Sequence, residues 1–161
     1  MSNIEGMPQA AAQGAPSDPY TIVPALLCIA KSTRAFNTLS LAEIGLHPGQ
    51  DQLLDRLDPE HPVTVSTLAE DLGVRPSTVS KMLDRLVEKA LVERCASSAD
   101  ARQTMVRLLP TGEKAKAAVH QIWKRMDEYI TDSLSHEELG AIRSSLERTD
   151  DILSTRLRRL R

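Results

Sequence analysis

Apolar positions along this chain follow two rhythms, and each change of rhythm marks an element. From about Pro19 to Leu39, Ile22, Leu26, Ile29, Thr33 and Phe36 alternate by four and three, the spacing of one helical face. The opposite face carries Pro24, Leu27, Cys28 and Ala35. A helix apolar nearly all round calls for cover on several sides, and a second subunit is one source of it. Gly45-Leu46-His47-Pro48-Gly49 breaks this run and leads into a short helix that turns Leu53, Leu54 and Leu57 inward. Asp58-Pro59-Glu60-His61-Pro62 ends that helix.

Val63-Thr64-Val65 reads as a brief strand, and Ser66 as the N-cap of a helix over Thr67 to Leu72. Past Gly73, Pro76 suits the first turn of a second helix, over Ser77 to Lys89, with Val79, Leu83, Leu86 and Val87 on one side. Its other side shows Ser77, Thr78, Ser80, Lys81, Asp84 and Arg85. The rhythm then shortens: Leu91 to Cys95 and Thr104 to Leu109 are β-prone runs joined by the polar Ala96 to Gln103, a hairpin with a long tip.

Two more helices complete the pattern. One, from roughly Pro110 to Ser133, sets Ala115, Val119, Ile122, Met126 and Ile130 in step; the other, from about His136 to Leu157, sets Leu139, Ile142, Leu146, Leu153 and Leu160 in step. Ser135-His136-Glu137-Glu138 is a capping-box pattern at the start of the second. Residues 1–18, rich in Ala, Gln, Gly, Pro and Ser without periodicity, read as a disordered or loosely attached tail.

Composition narrows the class. Aromatic residues are only 2% of the 161 while 41% are apolar, so the core rests on Leu, Ala, Val and Ile, the stock of helix-to-helix packing. No run approaches the length of a membrane span and the first residues carry no apolar signal core, which together imply a cytoplasmic protein. Cys28 and Cys95 lie in different elements and match neither a metal site nor a disulfide scaffold. His47, His61, His120 and His136 are scattered, and no phosphate loop, nucleophile elbow or zinc signature is present. The sequence therefore implies no enzyme, no cofactor and no metal.

A net charge of −2 weighs against a nucleic-acid partner until it is read locally. Between Arg75 and Arg107, seven basic residues face four acidic ones, net +3, which leaves −5 for the rest. That window is the stretch of short helix, tight turn, polar-faced helix and hairpin. B-DNA's major groove admits one α-helix, and a helix-turn-helix holds the second helix so that its N-terminal residues reach base edges. Arg75, Ser77, Thr78, Ser80, Lys81 and Arg85 are the candidate contacts there, and Arg94, Ser98 and Arg102 those on the hairpin. An arginine at the hairpin tip suits the negative potential of the narrow minor groove, and Asp100, two residues from Arg102, is placed to orient its guanidinium. The plain alternative for Ser77, Ser80 and Lys81 is solvated helix surface.

Leu68-Ala69-Glu70-Asp71-Leu72-Gly73-Val74, then Ser77-Thr78-Val79-Ser80, Leu91-Val92-Glu93-Arg94, and Asp100-Ala101-Arg102 ahead of Val106-Arg107-Leu108 and Gly112, resemble the MarR family. The resemblance covers about residues 19–161. It implies a mostly α fold with a small β-hairpin wing: a winged helix-turn-helix lobe over about 48–109, with dimerisation helices at about 19–39 and 110–160. It implies a homodimer on a pseudo-palindromic operator in double-stranded DNA, commonly a repressor, released by a small-molecule effector or an oxidant. It also implies a pocket between the first helix, the second helix and the winged lobe, near Cys28, Lys31, Ser32 and Leu53. Cys28 itself reads either as an oxidant sensor or as core packing. One departure is visible: Leu108-Leu109-Pro110-Thr111 lacks the usual threonine N-cap, so the helix after the wing is expected to start a residue or two differently. The reading from a different class is a winged protein-interaction module without specific DNA binding.

Overall fold

The computed structural model describes residues 22–96 and 104–160. The chain divides between Phe36 and Asn37 into two units. The first, described from Ile22, is the leading part of helix α1 (Ile22–Glu43), where Ile22, Val23, Leu27 and Ile29 are each more than half exposed.

The second unit takes up the rest of α1 and adds α2 (Gln50–Asp55), β1 (Val63–Thr64), α3 (Val65–Asp71), α4 (Pro76–Glu88), β2 (Val92–Ala96), β3 (Thr104–Leu108), α5 (Pro110–Thr131) and α6 (His136–Arg159). The end expected near Leu39 lies four residues later. Leu41 is fully buried in this unit's core, and the chain leaves the helix only at Gly45, whose φ of +70° suits glycine. There the Leu46 amide donates back to the Leu41 carbonyl and that of Gly45 to Ala42, a Schellman cap.

The core lies between the helices and one face of a three-stranded antiparallel sheet, in the order β1-β3-β2. Val92 pairs with Leu108, Arg94 with Val106, and Val63 with Val106 on the far side. The period of two turns Val92, Val106 and Leu108 inward against Leu68, Val79, Leu83 and Leu86. Leu53, Leu54 and Leu57 are buried as expected. Val87 is not: it is 40% exposed, because it sits a further 100° round α4 from Leu86 and falls off the core face.

The cap of α3 is Thr64 rather than Ser66. Thr64 is extended and its hydroxyl accepts the Thr67 amide at 3.1 Å, so the last strand residue is also the cap and no loop separates strand from helix. Pro76 occupies the first turn of α4 as expected. That helix also ends in a Schellman motif, with the Ala90 amide donating to the Val87 carbonyl and Leu91 to Leu86. Here an alanine takes the left-handed conformation, φ +52°, which costs an L residue about 1 kcal/mol.

After the wing, α5 begins at Pro110 with Leu109 as an N-cap that supplies no side-chain bond. Thr111, the residue after the proline, instead donates its hydroxyl to the Ala90 carbonyl. Further along, Lys116 donates to the carbonyls of Asp55 at 2.7 Å and Leu57 at 2.9 Å, tying α5 to the C-terminal end of α2. The capping box at α6 is present: Ser135 accepts from the Glu138 amide, and the Glu138 carboxylate accepts from Ser135 in return, which lowers its pKa. Yet none of the residues of α6 is buried.

Candidate nucleic-acid interface

Helix α4 has two faces of opposite character because its apolar residues recur at three and four. Val79, Leu83 and Leu86 are fully buried, which fixes the rotation of the helix about its axis. The side turned away from the core then presents Ser77, Thr78, Lys81, Asp84, Arg85 and Glu88, all exposed, with Arg75 exposed at the N-cap and Ser80 half-buried on the flank. No side chain caps the first turn, which begins with Pro76, and the positive end of the helix dipole lies there among exposed residues.

The fate of the basic residues in the +3 window is uneven. Lys89 donates to the Gly45 carbonyl, and Arg107 pairs with Glu93 directly across the β2–β3 ladder. The hydrogen bond and charge of Glu93 raise the Arg107 pKa above its ordinary value. Arg94 reaches from β2 to α4, donating to the Asp84 carboxylate at 2.8 Å and the Ser80 carbonyl at 3.3 Å. Among the described residues, that leaves Arg75, Lys81 and Arg85 without a bound partner, and all three stand at the N-cap or on the outer face of α4.

Ser98, Asp100 and Arg102, expected at the wing tip, lie outside the described residues. Arg75, Ser77, Thr78, Lys81 and Arg85 are brought together on one exposed surface, with Ser80 at its edge. Of the residues placed near a ligand or redox site, Cys28, Lys31 and Ser32 are exposed on α1. Leu53 is fully buried on α2.

The sequence reading missed two features. One is the Arg94 bridge, which joins residues ten and fourteen positions apart through the tertiary fold. The other is a buried polar knot at the α1–α2 turn. There Asp51, 1% exposed, accepts from the Gly49 amide at 2.8 Å and the Asn37 amide group at 2.6 Å, and Gln50 accepts from the His47 amide. The Pro48-Gly49 break was a legible hint of a turn there, but not of what holds it. Among the described residues, no three His, Cys, Asp or Glu come together to hold a metal, and no helix is long and apolar enough to cross a membrane.

Known proteins resemble parts of this chain. Residues 46–104, from the end of the first turn to the start of β3, match the sequence model of the MarR family. A putative transcriptional regulatory protein for the hcr operon of Thauera aromatica is 30% identical over 104 residues, 65% of this chain. The HTH-type transcriptional repressor MdtR of Bacillus subtilis is 34% identical over 97 residues, 58% of this chain. This chain spans 63% of the length of each of those relatives. The crystal structure of Streptococcus pneumoniae FabT in complex with DNA superposes with a TM-score of 0.75 at 23% identity, covering 86% of this chain and 99% of that one. The mostly helical body with its small antiparallel sheet is thus a winged-helix fold of the MarR type.

Proposed function

We propose that the chain, whose residues 46–104 match the MarR family model, is a transcriptional regulator of that family that binds a pseudo-palindromic operator as a homodimer, laying the outer face of α4 in the major groove. The observation that carries this is the set of uncommitted cations, Arg75, Lys81 and Arg85, interleaved with Ser77 and Thr78 on a face whose reverse is locked into the core. Short hydroxyls and long cations at one helix end are what base edges and flanking phosphates select. In this reading Arg102 of the wing enters the adjacent minor groove, with Asp100 orienting it. The DNA-bound structure of FabT supports the partner class, and the repressor MdtR the direction of control. A site of action on the chromosome puts the protein in the cytoplasm.

The experiment is selection of bound sequences from random duplexes, followed by salt titration on the winner. Two-fold symmetry with half-site centres about 34 Å apart is expected. If four cations per protomer each neutralise one phosphate, log K should fall against log salt with a slope of roughly −7. The net charge of −2 favours the other reading, an interaction module, and micromolar binding indifferent to sequence would establish it.

Release in this reading follows from geometry: a palindrome rewards one separation of the two lobes, so a ligand that favours another separation discharges the DNA. Oxidation of Cys28 is one route. The thiol is exposed on α1, which leaves it accessible to an oxidant. Peroxide treatment is expected to add mass at Cys28 and to weaken operator binding, with Cys28→Ser indifferent to it. An unmodified Cys28, or a modified one with undiminished affinity, rules this route out, leaving a non-covalent effector.

A further inference from the structure

We infer that Arg94 is a positioning residue for the recognition helix, holding α4 and the wing in one register and cancelling the charge of Asp84, and does not itself contact the DNA. This rests on the DNA-binding reading above. Asp84 shares the outer face of α4 with Lys81 and Arg85, so its carboxylate stands where the phosphate backbone would approach. Left alone, that charge would repel the ligand its neighbours attract. The Arg94 guanidinium spans from the Ser80 carbonyl at 3.3 Å to the Asp84 carboxylate at 2.8 Å, one full turn of the helix.

The pair is substantially exposed, 40% for Arg94 and 57% for Asp84, so as an ion pair it adds little stability. What it supplies is direction. The buried residues fix how α4 is turned, but they leave the exposed flank toward β2 to polar contacts. Arg94 sits on β2, paired with Val106 of β3, so the same side chain that grips α4 belongs to the hairpin that carries the wing. Helix and wing must enter neighbouring grooves together, and a tie between them sets their relative reach. The Nη2 group of Arg94 is held by both Ser80 and Asp84, whereas Lys81 and Arg85 have no partner among the described residues.

The two roles predict opposite outcomes when the charge of Asp84 is removed. Arg94→Ala should weaken operator binding about tenfold, since it unmasks a carboxylate beside the phosphates. Adding Asp84→Asn to that variant should recover most of the loss and leave the salt slope at its original value. A loss that Asp84→Asn does not relieve, with the slope reduced by about one per protomer, would mean that Arg94 touches a phosphate and would overturn the assignment. Unchanged affinity in Arg94→Ala would overturn it as well. Thermal melts of each variant show whether a change reflects unfolding. If the wild-type protein selects no duplex, the functional reading falls instead. The tie is then judged by amide exchange over Ser80–Glu88: faster exchange in Arg94→Ala upholds it and unchanged exchange refutes it.

Discussion

Gly112→Ala is expected to destabilise the winged lobe by on the order of 3 kcal/mol, the upper part of the range for forcing extra volume into a packed interior. Gly112 is buried in the first turn of α5, and a Cβ built there lies 2.0 Å from the Leu91 carbonyl oxygen and 2.7 Å from the Leu108 side chain. The first of these is backbone and cannot swing aside. It also accepts the Leu109 amide at 3.0 Å, and the neighbouring Ala90 carbonyl accepts the Thr111 hydroxyl, so several bonds at this junction are strained together. A methyl group therefore drives the start of α5 away from the α4–β2 turn. Urea denaturation followed by circular dichroism measures the effect. A midpoint within error of the wild type would show that the junction is far softer than its geometry says.

A second large effect is expected from Leu153→Asp on α6. Ile142, Leu146, Leu153, Leu157 and Leu160 recur at three, four and seven along this helix, so they form one stripe, and each is at least 41% exposed. Fully burying an exposed side chain of this kind is worth about 1.5–3 kcal/mol, and each of these five, partly exposed, forgoes a share of that. With α1 also exposing Ile22, Val23, Leu27 and Ile29, the terminal helices carry more uncovered apolar surface than an isolated monomer usually tolerates. In the proposed dimer, a second copy would cover it. A carboxylate at Leu153 would then be buried without a partner, and the expected product is a folded monomer. Each half-site would then be bound alone, losing the effective concentration that a linked pair provides, so operator affinity should fall by a factor on the order of 100 or more. Sedimentation velocity gives the first result and a binding isotherm the second. A variant that stays dimeric with wild-type affinity would remove α6 from the interface.

Much of the architecture was legible because periodicity survives in a single sequence. The three-and-four spacing of Val79, Leu83 and Leu86 gave α4 its inner face, and with it the outer face where Ser77, Thr78, Lys81 and Arg85 gather. Pro76 marked a helix start because its fixed φ and missing N–H suit a first turn, and Ser135 because its capping-box bonds are made within three residues. Misreadings fell where a neighbour distant in sequence decides. Val87 fits the apolar pattern but lies at its edge, and only the position of the sheet determines that the edge is wet. Ser66 and Thr64 are both sound caps by residue type, and Thr64 takes the role because β1 pairs with β3 up to that residue.

The electrostatics divide the same way. That the segment from Arg75 to Arg107 is basic is a count, and the sequence determines it completely. Which cations remain available is a matter of tertiary contacts: Lys89 is taken by Gly45, Arg94 by Asp84 and Arg107 by Glu93, each partner at least ten residues away along the chain. Local spacing settles what a helix turns inward and what it shows, since both follow from 3.6 residues per turn. Only the folded chain settles which shown charges are free to meet a phosphate, because that depends on which strands and turns come alongside.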